Sequence, residues 1–138
     1  MSSSAAAVPS PADLLRTVRE VISEVRGLPP EKVLPESLLM ADLGADSLDF
    51  LDVVFKLERA FDIQITRGEM ERAARGDMTE EAFAPGGVIS AEGLERLRTL
   101  MPEAAARIKP GMHVLQIMSL FTARTFASIV EAKRRQPG

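Results

Sequence analysis

Ser47 stands where a serine hydroxyl can do chemistry. The stretch Leu43-Gly44-Ala45-Asp46-Ser47-Leu48-Asp49 sets it after a glycine-containing turn and at the start of a helical pattern. A serine so placed is exposed by geometry, and the helix dipole favours a phosphate group on its oxygen. Asp46 is an acid where a metal-dependent transferring enzyme would need a ligand or an anchor. The plainer reading is that Ser47 is an N-cap, contributing about 1 kcal/mol to helix stability. For an arbitrary serine in this setting that reading is the commoner one. A hydrolase fails on its parts. A nucleophilic serine needs a base and an orienting acid, yet His113 is the only histidine and no Gly-x-Ser-x-Gly elbow surrounds Ser47. Without cysteine there is no thiolate chemistry, no disulfide framework and no Cys-based metal site. No metal site is expected.

The elements that must position Ser47 can be read from periodicity. Ser10-Pro11 opens a helix with a capping serine and a proline at the first helical position. Leu14, Leu15, Val18, Val21, Ile22 and Val25 then recur at three-and-four spacing until Gly27. Pro29, Pro30 and Pro35 forbid regular helix, so residues 28–45 form a long connection. Val33, Leu38, Leu39, Met40 and Leu43 should pin it to the core, and Gly44 supplies a tight turn.

The second helix is predicted from Ser47 to about Phe61. With 3.6 residues per turn, Phe50, Val54, Leu57 and Phe61 share one face, the core stripe. Asp49, Asp52, Lys56 and Arg59 form a narrow polar stripe. Leu48, Leu51 and Phe55 fall on a further apolar arc. A globular surface helix needs about one such arc, so this one requires a partner, a ligand or another segment of the chain. Burial under the chain's own later residues is at least as good a reading as an interface.

Residues 67–75 read as a short polar helix ending at Gly76, Pro85-Gly86-Gly87 as a turn, and Ser90 as the cap of a helix through Leu100. Leu94, Leu97 and Leu100 share one side of that helix. Pro102, Pro110 and Gly111 break the stretch beyond it. Val88-Ile89 could be a short extended piece, but nothing else supports a sheet. A last helix begins near Thr122, with Phe126, Ile129 and Val130 on its apolar face and Lys133, Arg134 and Arg135 at the end that favours cations.

The 138 residues are one domain's length, 46% hydrophobic with six Phe and no Trp or Tyr. Burial must come from aliphatic side chains, which suits packed helices. A formal net charge of −3 favours neither a nucleic-acid binder nor a polybasic membrane protein. Residues 36–69 hold eight acids against three bases, and residues from Ala123 onward four bases against one acid. Such an acidic face suits basic partners, or is simply a solvated surface. Residues 1–10, rich in Ser, Ala and Pro, are expected to be a disordered leader. They hold no secretion signal and no membrane span, which points to the cytoplasm.

Leu43-Gly44, then Asp46-Ser47-Leu48, then a helix ending in Glu58-Arg59-Ala60-Phe61-Asp62-Ile63-Gln64-Ile65 resembles the acyl carrier protein family. The likeness covers residues 12–66, with a weaker echo at Leu120-Phe121-Thr122-Ala123-Arg124-Thr125-Phe126. It implies an all-α, acyl-carrier-like four-helix bundle with an inserted, partly helical segment at 67–111. The carrier domain would span 11–134, leaving a 135–138 tail. It implies that Ser47 receives 4′-phosphopantetheine, making the chain a phosphoprotein, with Asp46 preceding the modified serine. Acyl groups would ride on the terminal thiol as thioesters, so the chain would be a carrier and not an enzyme. Asp49, Asp52 and Glu58, with Leu48, Leu51 and Phe55, would meet partners: a phosphopantetheinyl transferase, and acyl synthases or acyltransferases with basic docking patches. A monomer is expected, binding no nucleic acid.

About fifty-five residues, Thr66 to Leu120, stand where carriers of fatty acid biosynthesis have a short acidic segment. The run Asp46 to Phe55 is similar to specialised carriers, including those serving very-long-chain acyl groups for lipid A. The likeness therefore implies a specialised lipid or secondary-metabolite pathway within lipid metabolism. The insertion could cover Leu48, Leu51 and Phe55, enlarge an acyl cavity, or form a docking surface, with the first two preferred. Its Leu94, Leu97 and Leu100 are expected to be buried beside the second helix or the final one. The alternatives are a helical interaction domain with no prosthetic group, and a peptidyl or polyketide carrier.

Overall fold

The computed structural model describes residues 10–135; all of the expected 1–10 leader but Ser10, and all of the expected 135–138 tail but Arg135, lie outside them. Helix α1 (Pro11–Arg26) starts as its sequence dictates. The Ser10 hydroxyl accepts the Asp13 N–H at 3.2 Å, and Gly27 closes the helix at φ 66°, a conformation that costs glycine least. Helix α2 (Ser47–Phe61) and helix α6 (Ala123–Arg135) both pack against α1. Phe50, Phe121 and Phe126 meet at ring-centroid distances of 5.3–5.4 Å with tilted or edge-on planes, the geometry aromatic quadrupoles favour. Val53, outside the predicted core stripe, is also fully buried.

The connection from α1 to α2 contains one 3₁₀ turn, Pro30–Lys32, that the prolines still permit. As expected, Val33, Leu38, Leu39 and Leu43 are buried, and Met40 is half-buried against the core. Backbone bonds fix it as well. The Leu39 N–H donates to Phe121 O at 2.9 Å, the Arg124 N–H to Pro35 O at 3.0 Å, and the Ala45 N–H to Leu39 O at 3.1 Å.

The inserted segment is folded. Helix α3 (Arg67–Arg75) begins with a reciprocal cap between Thr66 and Glu69. Helix α4 (Glu80–Phe83), a 3₁₀ turn at Pro85–Gly87 and helix α5 (Ala91–Leu100) come next. Val88-Ile89 is extended only as an isolated bridge, Val88 to His113, with the Ile89 N–H on Met112 O at 2.9 Å. Two 3₁₀ stretches, Pro102–Arg107 and Val114–Leu120, then return the chain to α6.

Two expectations need correction. Leu94 and Leu97 are buried as foreseen, but Leu100 is 41% exposed because α5 ends there. Helix α5 also rests mainly on α3, which in turn packs on α6, so the added layer grows outward from α6. It does not cover the third arc of α2: Leu48, Leu51 and Phe55 are 74%, 43% and 59% exposed.

Candidate functional site at the start of helix α2

Asp46, and not Ser47, caps α2. Its Oδ1 accepts the Asp49 N–H at 2.9 Å, while Asp49 Oδ2 accepts the Asp46 N–H at 3.1 Å. This capping box satisfies the open donors of the first turn. The N-cap reading of Ser47 is thereby excluded. Ser47 sits at the first helical position, exposed, and no hydrogen bond among the described residues engages its hydroxyl.

A brace reaches the site from α1. Arg26 donates from Nε to Leu43 O at 2.8 Å and pairs with Asp49 Oδ2 at 3.2 Å. It thus fixes both the turn before Ser47 and the capping acid after it. Gly44 lies between at φ 72°, where a Cβ would stand 3.4 Å from the Arg26 guanidinium. Gly44 announced itself in sequence. Arg26 did not, because nothing local marks an α1 side chain as the partner of a loop seventeen residues on.

The proposed contact residues separate by environment. Asp52 is exposed, and no hydrogen bond or ion pair engages it among the described residues. Asp49 is half-buried in the brace, and Glu58 Oε2 accepts the Ile65 N–H at 2.8 Å. Lys56 pairs with Glu24 at 3.3 Å. Leu48, Leu51 and Phe55 form an uncovered apolar patch beside these charges. His113 lies just past the 67–111 segment, its ring against Gly87, where a Cβ would fall 2.7 Å from Nε2.

An exposed primary hydroxyl at the positive end of a helix, free of capping duty, suits a phosphodiester-linked group. The chemistry of the site therefore fits a phosphate-borne prosthetic arm. A small helical domain with such a site has what a prosthetic-group carrier needs. The family profile described as "Phosphopantetheine attachment site" matches residues 16–74. An acyl carrier protein of Wolinella succinogenes is 44% identical over 57 residues, covering 41% of this chain and 75% of that relative. No solved structure gives a significant match. The chain belongs to the acyl carrier protein family: it is a carrier of phosphopantetheine, and not an enzyme. No helix among the described residues is long and apolar enough to cross a membrane.

Proposed function

We propose that Ser47 is the residue that bears 4′-phosphopantetheine. One observation carries this reading: Asp46 takes the capping role, leaving an exposed and unengaged hydroxyl one residue inside the helix. When attached, the arm supplies a flexible tether whose terminal thiol holds acyl groups as thioesters. The protein's own residues do the rest. Arg26, Asp46 and Asp49 hold the helix start rigid, so the hydroxyl is presented to a transferase in a fixed direction. The α2 N-terminus would favour the negative charge of a phosphodiester on Ser47 through its dipole.

Leu48, Leu51, Phe55 and Asp52 form the face that a phosphopantetheinyl transferase and later acyl synthases or acyltransferases contact. Basic docking patches on those enzymes suit Asp52 and the free oxygen of Asp46. Asp49 and Glu58 act mainly through the fold, since each already holds an internal partner. The carrier unit is residues 11–134, a monomer working in the cytoplasm. Its pathway is a specialised lipid or secondary-metabolite route, a reading supported by the folded segment between α2 and α6.

Incubation with coenzyme A, Mg²⁺ and a promiscuous transferase tests the assignment. The intact protein should gain the mass of one phosphopantetheinyl group, and Ser47→Ala should lose that gain while keeping its far-UV helicity. A gain that survives the substitution would contradict it.

A further inference from the structure

A cavity of about 540 Å³ opens beside the turn that leads to Ser47. Met40 and Ala41 form its wall on that side. The Gly44 N–H donates to Met40 O at 3.0 Å and the Ala45 N–H to Leu39 O at 3.1 Å, so this wall is tied to the last residues before α2. The rest of the lining comes from the chain between α5 and α6, with Arg107, Lys109, Met112 and Leu120 as its main side chains. The volume falls in the range of small-ligand sites, about 300–1,000 Å³.

Local backbone geometry sets the two cations on one side. Ile108 is extended at φ −93° and ψ 108°, and its side chain is buried. Successive side chains of extended backbone point to opposite sides, so Arg107 and Lys109 both face away from the core, and both are exposed. Arg98 fixes this stretch from α5, donating from Nη2 to Ile108 O at 3.0 Å. No hydrogen bond or ion pair engages the Arg107 or Lys109 side chain among the described residues. The acids nearest along the lining segments have work elsewhere: Asp42 Oδ2 accepts the Leu38 N–H at 2.8 Å, and Glu103 Oε1 accepts the Thr122 hydroxyl at 3.3 Å.

The uncovered charges suit an anion, and the guanidinium of Arg107 matches phosphate geometry best. The lining between them suits something larger than a bare ion. Met40 and Met112 offer polarizable thioethers that pack well on aromatic rings, and Leu120 adds an apolar surface. A carboxylate on a partner protein would meet the cations and leave the space beside the methionines unfilled. We propose that this cavity is a binding site for a nucleoside phosphate, with the base against Met40 and Met112 and the phosphate held by Arg107 and Lys109. The adenosine end of coenzyme A and a free nucleotide share this chemistry. The site is independent of the Ser47 reading, since none of its residues belongs to that site.

Titration of the unmodified full chain, followed by methyl resonances, tests the proposal. Adenosine 3′,5′-bisphosphate and coenzyme A should shift Met40, Met112 and Leu120 saturably, and pantetheine, which has neither base nor phosphate, should not. Adenosine 5′-monophosphate separates the sources. Weaker binding than the bisphosphate identifies the coenzyme A end as the ligand, and equal binding identifies free nucleotides. Arg107→Gln combined with Lys109→Gln, both at exposed positions, should weaken binding about tenfold or more while far-UV helicity stays unchanged. Ser47→Ala should bind like the parent, so the result stands or falls apart from the arm assignment. Absence of saturable shifts with any nucleotide overturns the proposal. So does affinity for inorganic phosphate equal to that for the bisphosphate, binding that the double variant leaves intact, or shifts produced only by an added transferase.

Discussion

Helices α2 and α5 begin with serines that do opposite things. Ser90 is a true N-cap of α5. Its hydroxyl accepts the Gly93 N–H at 3.0 Å and reaches the carbonyls of Ala82 and Phe83 at 2.7 and 3.1 Å. Ser47 comes one residue after its cap, and Asp46 does the corresponding work. The flanks differ in the same sense: α5 buries Leu94 and Leu97, while α2 leaves Leu48, Leu51 and Phe55 in solvent beside its core stripe. A helix whose polar start is satisfied internally and whose Leu94 and Leu97 are buried is built for stability. One whose hydroxyl and second apolar arc are both left open is built to meet something else.

Leu97 offers the largest way to sharpen that contrast. It is fully buried, and Leu97→Ala should cost about 2–5 kcal/mol in chemical unfolding, including the cavity left behind. Hydrogen exchange in the parent protein should show residues 91–100 protected to a degree comparable with α2. Exchange at unfolded-chain rates there would mean that the insertion is a tether.

The caps come next. Ser90→Ala and Asp46→Ala should each lower stability by about 1 kcal/mol, but only the second should also slow arm transfer. Equal transfer rates for the two would remove the distinction between the helix starts.

Smaller stability effects are expected on the open face of α2. Leu48→Ala and Asp52→Lys should change unfolding free energy by no more than about 0.5 kcal/mol, yet each should raise the KM of a transferase for this carrier. The Asp52→Lys effect should shrink as salt rises, since exposed charges act over about 8 Å at physiological ionic strength. Unchanged kinetics at low salt would make the face an ordinary solvated surface.

The smallest effect concerns the contact between the insertion and α6. Burial of Glu69 works against its charge, but hydrogen bonds from Lys133 and Thr66 and the nearby ammonium outweigh it, holding the carboxyl below its usual range. A lowered folded-state pKa gives stability that is present above the ordinary glutamate value, about 4.3. That stability is lost as pH falls through the lowered one. Glu69→Gln should therefore reduce Tm slightly at neutral pH, and the gap from the parent should close in acid. A gap that widens in acid would contradict the pairing.

Much of this arrangement was legible along the chain. Proline, glycine and capping residues act within a few positions, so Ser10, Gly27, Thr122 and the bounds of α2 and α5 come from local rules. What sequence could not deliver is non-local. Whether Leu48, Leu51 and Phe55 would be covered depended on where the insertion packs, and it packs on α6 through α3. The role of Arg26 depended on α1 and the loop meeting in space. Asp46 as the cap in place of Ser47 turned on a difference of one residue, where either side chain was chemically able to do it.

Fragmentation of the modified protein tests the central claim most directly, because it locates the arm residue by residue. The account predicts a phosphopantetheinyl mass on the peptide bearing Ser47, assigned to that side chain, with the Ser90 peptide unmodified. Phosphopantetheine found on Ser90, or on any serine other than Ser47, would contradict it.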